Sequence, residues 1–333
     1  MASFTVFKGA KDGSPKKSLI TRPDNLTGDS VLVKITASGV CGTDLHHKTR
    51  EDIVLGHEGV GVVEAVGPMC KHLKTGDRVG FGYESDSCGH CRECLRGAEP
   101  YCPERALYGS ANFDQGSFAS HVIWREAFLY KIPDALSDVD AAPLQCGGAT
   151  VFNVLRAYNA QPTETIGIMG VGGLGHLAIQ FAAKMGCRVV VLSGTESKKD
   201  DAMRLGAHEF IATKGAAELK VTSPLNRLLV TTSAQPNWEL ILPIMAPGSS
   251  IHPLSVSKGN FEIPYMPLIL QGIGVQGSLV APRNLHCQML DFAALHGIKP
   301  VTEIFPMTEQ GINEAMDKLE RGDIHFRAVL KAM

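Results

Sequence analysis

Residues 165–186, TIGIMGVGGLGHLAIQFAAKMG, pass from an apolar run through a cluster of glycines into a stretch with helical spacing. Thr165 to Met169 reads as a buried strand. Gly170, Val171, Gly172, Gly173, Leu174 and Gly175 form a tight turn, and a helix follows. Glycine-rich turns are common, so a bare GxGxxG pattern says little. Between a strand and a helix the pattern acquires a mechanism. Without side chains the backbone can approach a pyrophosphate, whose charge then faces the amides of the helix N-terminus. The expected fold is therefore α/β, with a doubly wound Rossmann unit for a dinucleotide. Downstream, LNRLLVTTS, NWELILPIMAPG, SSIHPLSV and GIGVQGSLVA alternate strand and helix signals and extend the same mostly parallel sheet.

The chain has 333 residues, more than one ordinary core needs, and two domains are expected. Charges of both signs nearly cancel, to −2, with no basic run, which argues against a nucleic-acid partner. The opening stretch MASFTVFKGAKDGSPKKS lacks the apolar centre of a secretory signal. No apolar run reaches the roughly 18 residues of a membrane span. No membrane partner and a cytoplasmic location are the expectation. In a reducing compartment, nine cysteines read as metal ligands and buried thiols, not as a disulfide framework.

The most specific local signal is CGHCRECLRGAEPYC, which holds Cys88, Cys91, Cys94 and Cys102. Four thiolates at these spacings can surround one ion tetrahedrally. A redox pair or an iron–sulfur cluster are the competing readings. Four protein ligands leave no open position, which favours a structural zinc. His90, inside the loop, reads as a solvated bystander.

Upstream, VLVKITASGV alternates as a half-buried strand, and EGVGVVEAVG and TGDRVGFGY follow as short, glycine-interrupted strands of a curved sheet. Between them lies Gly39–Val63, GVCGTDLHHKTREDIVLGHEGVGVV, with Cys41, Thr43, Asp44, His46 and His57. Spacing alone leaves a buried thiol and an ordinary polar histidine as the plainer reading. Further on, Ser137 followed by Asp140 makes a capping-box-like helix start, and Cys146 falls inside that expected helix. A core thiol is again the plain alternative.

As a set, Cys-Gly-Thr-Asp, Gly-His-Glu-Gly-Val-Gly, the four-cysteine loop and the GxGGxG turn resemble the zinc-dependent alcohol dehydrogenases of the medium-chain dehydrogenase family. The likeness covers essentially the whole chain and is nearest to its cinnamyl-alcohol-dehydrogenase-like, NADP(H) branch. It implies a GroES-like β-rich catalytic domain over residues 1–149 with a structural-zinc lobe at 88–102. A Rossmann cofactor domain over 150–283 and a return segment over 284–333 complete the expected order. By resemblance, Cys41, His57 and Cys146 hold a catalytic zinc, Glu58 either supports these ligands from behind or is an alternative ligand, and Asp44 accepts the second N–H of His57. Thr43 is then the hydroxyl of a proton relay that His46 continues to solvent, with His47 adjacent; a plain turn role for Thr43 stays open.

On the cofactor side, the strand CRVVVL ends at Ser193, where an NAD-type site would place a carboxylate. Ser193, Thr195 and Lys198 can instead meet a 2′-phosphate, and the branch resembled favours NADP(H). A solvated pair, Lys198 and Lys199 balanced by Asp200 and Asp201, is the other reading. The resemblance adds Thr150, the backbone around Ser278 and Arg327 to the cofactor contacts. For Arg327 a structural salt bridge remains the alternative. The implied reaction is hydride transfer between NADP(H) and an aldehyde or ketone, or the matching alcohol, in a homodimer. A reductase of C=C or iminium bonds on the same scaffold, and a non-catalytic zinc or nucleotide binder, are the rivals. Only ten residues separate His46 from His57, fewer than the family usually has, so the substrate stays open.

Overall fold

The strand Ser30–Val40 runs through the middle of a seven-stranded sheet. Val31, Val33, Ile35 and Ala37 are buried while Lys34 is exposed, as the period-two pattern requires. The computed structural model describes residues 1–257 and 259–333 and divides into two compact units, Met1–Ala149 with Val280–Met333, and Thr150–Leu279. The return to the first unit thus starts at Val280, ahead of the expected step after Arg283. Among the described residues no helix is long and apolar enough to cross a membrane.

In the first unit the sheet order is Thr302–Pro306, Arg327–Lys331, Ser30–Val40, Gly59–Val66, Arg78–Phe81, Tyr130–Lys131, and His121–Arg125 also pairs with Ser30–Val40. Bulges at Leu32/Val33 and Ile35/Ala37 interrupt the pairing of Ser30–Val40 with Gly59–Val66. Each bulge bends its strand, so the sheet curves around Val33, Ile35, Phe81 and Phe118. The helix Glu309–Arg321 covers part of this core with Ile312, Ala315 and Met316, spaced three and four apart. Thr308 caps its start, accepting from the Gly311 N–H, and Gly322 ends it in the left-handed region.

The second unit carries a six-stranded, wholly parallel sheet. Numbered within the unit, Thr165–Met169, Arg188–Ser193, Glu209–Ala212, Leu225–Val230, Met245–Pro253 and Gly274–Val275 lie in the order 3-2-1-4-5-6. This is the doubly wound arrangement expected from the glycine turn. Several helical signals shorten. The stretch NWELILPIMAPG yields only the helix Trp238–Ile241 and a 3₁₀ turn, because Pro243 cannot continue it. The helix expected around Cys146 is also broken. Ser137 does cap Asp138–Ala141, but Pro143 starts a 3₁₀ turn through Gln145, and Cys146 sits between that turn and the helix Gly147–Ala157. Cys146 is therefore held at the junction of two helical pieces, not within a helix.

Candidate active site

Cys41 directly follows the central strand and precedes the helix Gly42–His47. Asp44 in that helix turns back and is fully buried. Its Oδ2 accepts the Cys41 N–H at 2.9 Å; its Oδ1 accepts the Gly56 N–H at 3.2 Å and the His57 Nδ1–H at 3.0 Å. One carboxylate thus ties two distant loop positions together and fixes the tautomer of His57. The opposite ring nitrogen, His57 Nε2, is buried and has no hydrogen-bond partner.

That free nitrogen belongs to a group of four donors. Atoms of Cys41, His57, Glu58 and Cys146 all lie within 4.8 Å of one another, although Cys146 is more than a hundred positions from Cys41. The Cys41 thiol is drawn well below its ordinary pKa, first by its hydrogen bond with Cys146, then, against burial, by His57 and Arg327. Cys146 moves up through the same bond and through burial. Burial works to depress His57, but the Asp44 carboxylate and the Cys41 sulfur outweigh it and raise the ring. Two thiols and a bare imidazole nitrogen are the donors that zinc prefers, so the residues fit a three-ligand metal site. Thr43 Oγ1 lies 3.8 Å from Cys41 Sγ, and His46 is exposed on the same helix.

Glu58 lies in this group but is committed elsewhere. Both its oxygens accept from the guanidinium of Arg327, and both side chains are buried. The resemblance puts Arg327 at a pyrophosphate; in the structure its guanidinium makes a salt bridge to Glu58. The reason is its register. Arg327 opens a strand that pairs antiparallel with Ser30–Val40, Ala328 opposite Val40, which delivers it to the edge where Glu58 sits. Burial lifts the Glu58 carboxyl to about 7, against the pull of Arg327. Glycine at position 39 is required here, because any side chain there would run into the Glu58 carboxylate.

The four-cysteine loop closes as its spacing predicts. The sulfurs of Cys91 and Cys94, and of Cys102 and Cys88, lie 3.6 Å apart, and Cys88 and Cys94 4.0 Å. Backbone N–H groups of Cys91 and Glu104 point at Cys88 Sγ and Cys102 Sγ, both at 3.3 Å. Such donors favour thiolate charge.

In the second unit the glycine turn joins Thr165–Met169 to the helix Gly175–Lys184. A methyl group at position 175 would strike the Gly170 carbonyl oxygen, so close helix–strand packing demands glycine there. Gly172 has open space above it, and Gly173 and Leu174 complete the turn. Lys198 Nζ donates to the Val171 carbonyl at 2.9 Å, within the turn itself. Ser193 ends the second strand of the unit, and the exposed Thr195 holds Ser197 at 2.9 Å. Thr150 is buried in the helix Gly147–Ala157, and Ser278 has a buried, unpartnered hydroxyl.

Three further buried or half-buried groups of this unit carry no sequence signal. Tyr108 lies outside every motif, yet its hydroxyl accepts the Gly56 N–H at 3.0 Å and its ring stacks on His57 at 4.7 Å. Tyr83 meets His57 edge-on at 5.6 Å. Glu84, next to it, is buried with both oxygens unpartnered. Burial, then the nearby Glu99 carboxylate, push its pKa from 4.5 to about 8 against Arg283 and Arg105. The folded chain therefore keeps a proton that the unfolded chain loses above its ordinary value. Stability should fall as pH rises from about 4.5 to about 8, by at most about 1.4 kcal/mol for each pH unit crossed. Glu84→Gln should raise the melting temperature at pH 9 and leave it unchanged at pH 4. Equal differences at both values would contradict this account.

Residues 27–134 match the family model of the alcohol dehydrogenase GroES-like domain, and residues 173–294 that of the zinc-binding dehydrogenases. An alcohol dehydrogenase of Geobacillus stearothermophilus is 36% identical over 312 residues, covering 90% of this chain and 91% of its own. The NADP-dependent alcohol dehydrogenase C 1 of Mycolicibacterium smegmatis is 33% identical over 314 residues, 90% of this chain and 89% of its own. The solved structure of a cinnamyl alcohol dehydrogenase from Sorghum bicolor superposes with a TM-score of 0.91 at 32% identity, covering 99% of this chain and 97% of its own. The two-unit α/β architecture, the buried donor group and these likenesses together show that the chain belongs to the zinc-binding, medium-chain alcohol dehydrogenase family.

Proposed function

We propose that this chain is a zinc-dependent oxidoreductase that passes hydride between NADP(H) and an aldehyde or ketone, or the corresponding alcohol. The observation that carries the reading is the convergence of Cys41, His57 and Cys146, with His57 Nε2 buried and unpartnered. Bound there, zinc would polarise a carbonyl oxygen as a Lewis acid, and the reduced nicotinamide would supply the hydride. The chain's own residues prepare both ends of that chemistry. Asp44 holds the His57 proton on Nδ1 and so presents Nε2 as a lone pair. Arg327 neutralises Glu58 beside the thiols. Thr43 Oγ1, beside Cys41 Sγ, is the group that gives or takes the substrate proton, and the exposed His46 passes it to water. The four-cysteine loop holds the second, structural zinc.

Purified protein supplied with zinc and NADPH should consume NADPH absorbance with members of an aldehyde and ketone panel. Oxidation with alcohols should run in reverse. A chain that instead reduces only C=C or iminium bonds, and does so with zinc removed, would replace this reading with the rival one.

For the coenzyme, the absence of a carboxylate at Ser193 and the position of Lys198 against the glycine turn support NADP(H). Ser193→Asp should place like charge against a 2′-phosphate, a mismatch worth at least about 1.4 kcal/mol, and swing the NADPH-to-NADH ratio of kcat/KM about tenfold or more toward NADH. A wild-type chain that already prefers NADH would refute the NADP(H) assignment.

A homodimer is supported by an apolar face on the second unit. Tyr265, Met266, Ile269 and Leu270 of the helix Tyr265–Gln271 are exposed, and the edge strand Gly274–Val275 follows directly in the chain. Exposed apolar patches and open sheet edges are costly in a monomer. Light scattering should give about twice the chain mass, and Leu270→Lys should halve it.

A further inference from the structure

The residue before Cys146 is a glutamine, buried to 1% exposure among groups that lie far from the metal donors in sequence. Two glycines make room for this residue, Gly80 for its side chain and Gly82 for its main-chain carbonyl. A Cβ at Gly80 would strike the Gln145 amide, and one at Gly82 would strike the Gln145 carbonyl oxygen. The amide is used at both ends. Gln145 Nε2 donates to the Ala141 carbonyl at 3.0 Å, and Gln145 Oε1 lies 2.9 Å from His286 Nε2. Only one orientation of the amide serves both contacts, because a flipped amide would set two carbonyl oxygens face to face. His286 Nε2 must then carry the proton and donate it.

His286 is itself immobilised. Its ring stacks on Tyr130 at 3.8 Å and 11°, and it is buried. Burial pushes its pKa down to about 3, so it stays neutral and keeps that single donor over the working range of an enzyme. The helix Arg283–His296 that carries it is anchored in turn by Glu99, whose Oε1 accepts from both the Arg283 N–H, at 2.6 Å, and Arg283 Nε, at 3.0 Å. Glu99 lies in the 3₁₀ turn that runs up to Cys102 of the four-cysteine loop.

We propose that Gln145 and His286 are positioning residues that hold Cys146 in ligand geometry. Cys146 lies at the junction of two helical pieces, its own N–H closing the 3₁₀ turn on the Pro143 carbonyl before the next helix starts at Gly147. The clamp on its neighbour fixes the side of this junction that leads into Cys146, by the logic that groups behind a ligand tune metal affinity. This inference rests on the zinc reading of the Cys41–His57–Cys146 group.

The test is zinc release from the purified holoenzyme to a chromogenic chelator, with the slow ion assigned by the Cys41→Ser chain, which keeps only the lobe zinc. His286→Phe keeps the ring against Tyr130 and removes the donor. It should release one zinc about tenfold faster or more and the lobe zinc at the wild-type rate. His286→Gln, which restores an N–H, should recover most of the wild-type retention. If His286→Phe does not fold, Gln145→Met, which keeps the volume and loses both hydrogen bonds, carries the same expectation. Release rates within twofold of wild type for both ions overturn the clamp, whatever happens to the melting temperature. So does equal acceleration of both ions, which marks a general loss of stability. A wild-type chain that holds only the lobe zinc overturns instead the reading on which the clamp rests.

Discussion

Replacing His57 with alanine, or Cys146 with serine, is expected to cut turnover by about a thousandfold or more while the chain stays folded and keeps one zinc. The size follows from the role proposed for the site. Lewis-acid stabilisation of developing charge on a carbonyl oxygen amounts to several kcal/mol, and each 1.4 kcal/mol is about tenfold in rate. Folding should survive because these side chains do not carry the apolar core, which lies around Val33, Ile35, Phe81 and Phe118. The change in metal content separates this site from the lobe. His57→Ala should lose the ion held by Cys41 and Cys146, whereas the four sulfurs of Cys88, Cys91, Cys94 and Cys102 keep theirs. The decisive measurement pairs zinc per chain with kcat/KM. Full activity after loss of that zinc would end the assignment. Asp44→Asn should give a smaller version of the same result, about ten- to a hundredfold, because it disturbs the His57 tautomer without removing a ligand.

The largest stability effect is expected at Arg327→Met. In the native chain the Arg327 guanidinium meets both oxygens of Glu58, and the two side chains are 6% and 0% exposed. Removing the cation strands the Glu58 acid in a site that water does not reach, where it must keep an unpaired charge or take up a proton. Breaking such a buried pair costs about 3–5 kcal/mol, most of it the uncompensated charge. For a chain of this size the melting temperature should fall by about 4–7 °C. Arg327→Met combined with Glu58→Gln should recover at least half of the loss, because the second change removes the stranded charge. No recovery in the double variant would mean that Arg327 acts through packing alone. The pair should also be separable from catalysis: the double variant keeps Cys41, His57 and Cys146, so its zinc content should match wild type.

Part of the site is legible without coordinates because its chemistry is local in the chain. The turn at Gly170–Gly175 needs glycine where strand and helix crowd together, and those positions are consecutive. The lobe cysteines lie within fifteen residues, so spacing alone shows that they can meet. Asp44 and His57 stand 13 positions apart and become readable once the flanking motif is recognised. Cys146 reads as a ligand only through that resemblance, and the helix expected around it fails because Pro143 breaks it. Tyr108, Tyr83 and Glu84 carry no signal, since an aromatic or acidic residue in a short strand or loop has no spacing that marks its neighbours. The salt bridge of Arg327 is unreadable for the same reason of range, because its partner is Glu58, 269 positions away.

The amino-acid sequence by itself determined the elements: a parallel α/β unit built on a glycine turn, a glycine-interrupted β-rich unit, a four-sulfur loop, and the residue types from which a metal site could be drawn. Periodicity, turn chemistry and ligand spacing are short-range properties, and they are written in neighbouring letters. Only the tertiary structure decided which donors meet and what holds them. The pairing of Arg327–Lys331 with Ser30–Val40 brings Arg327 to Glu58, and the packing of the helix Arg283–His296 brings His286 to Gln145, 141 positions away. Contacts at that range depend on sheet register and on buried polar groups finding partners, and register is a property of the folded sheet.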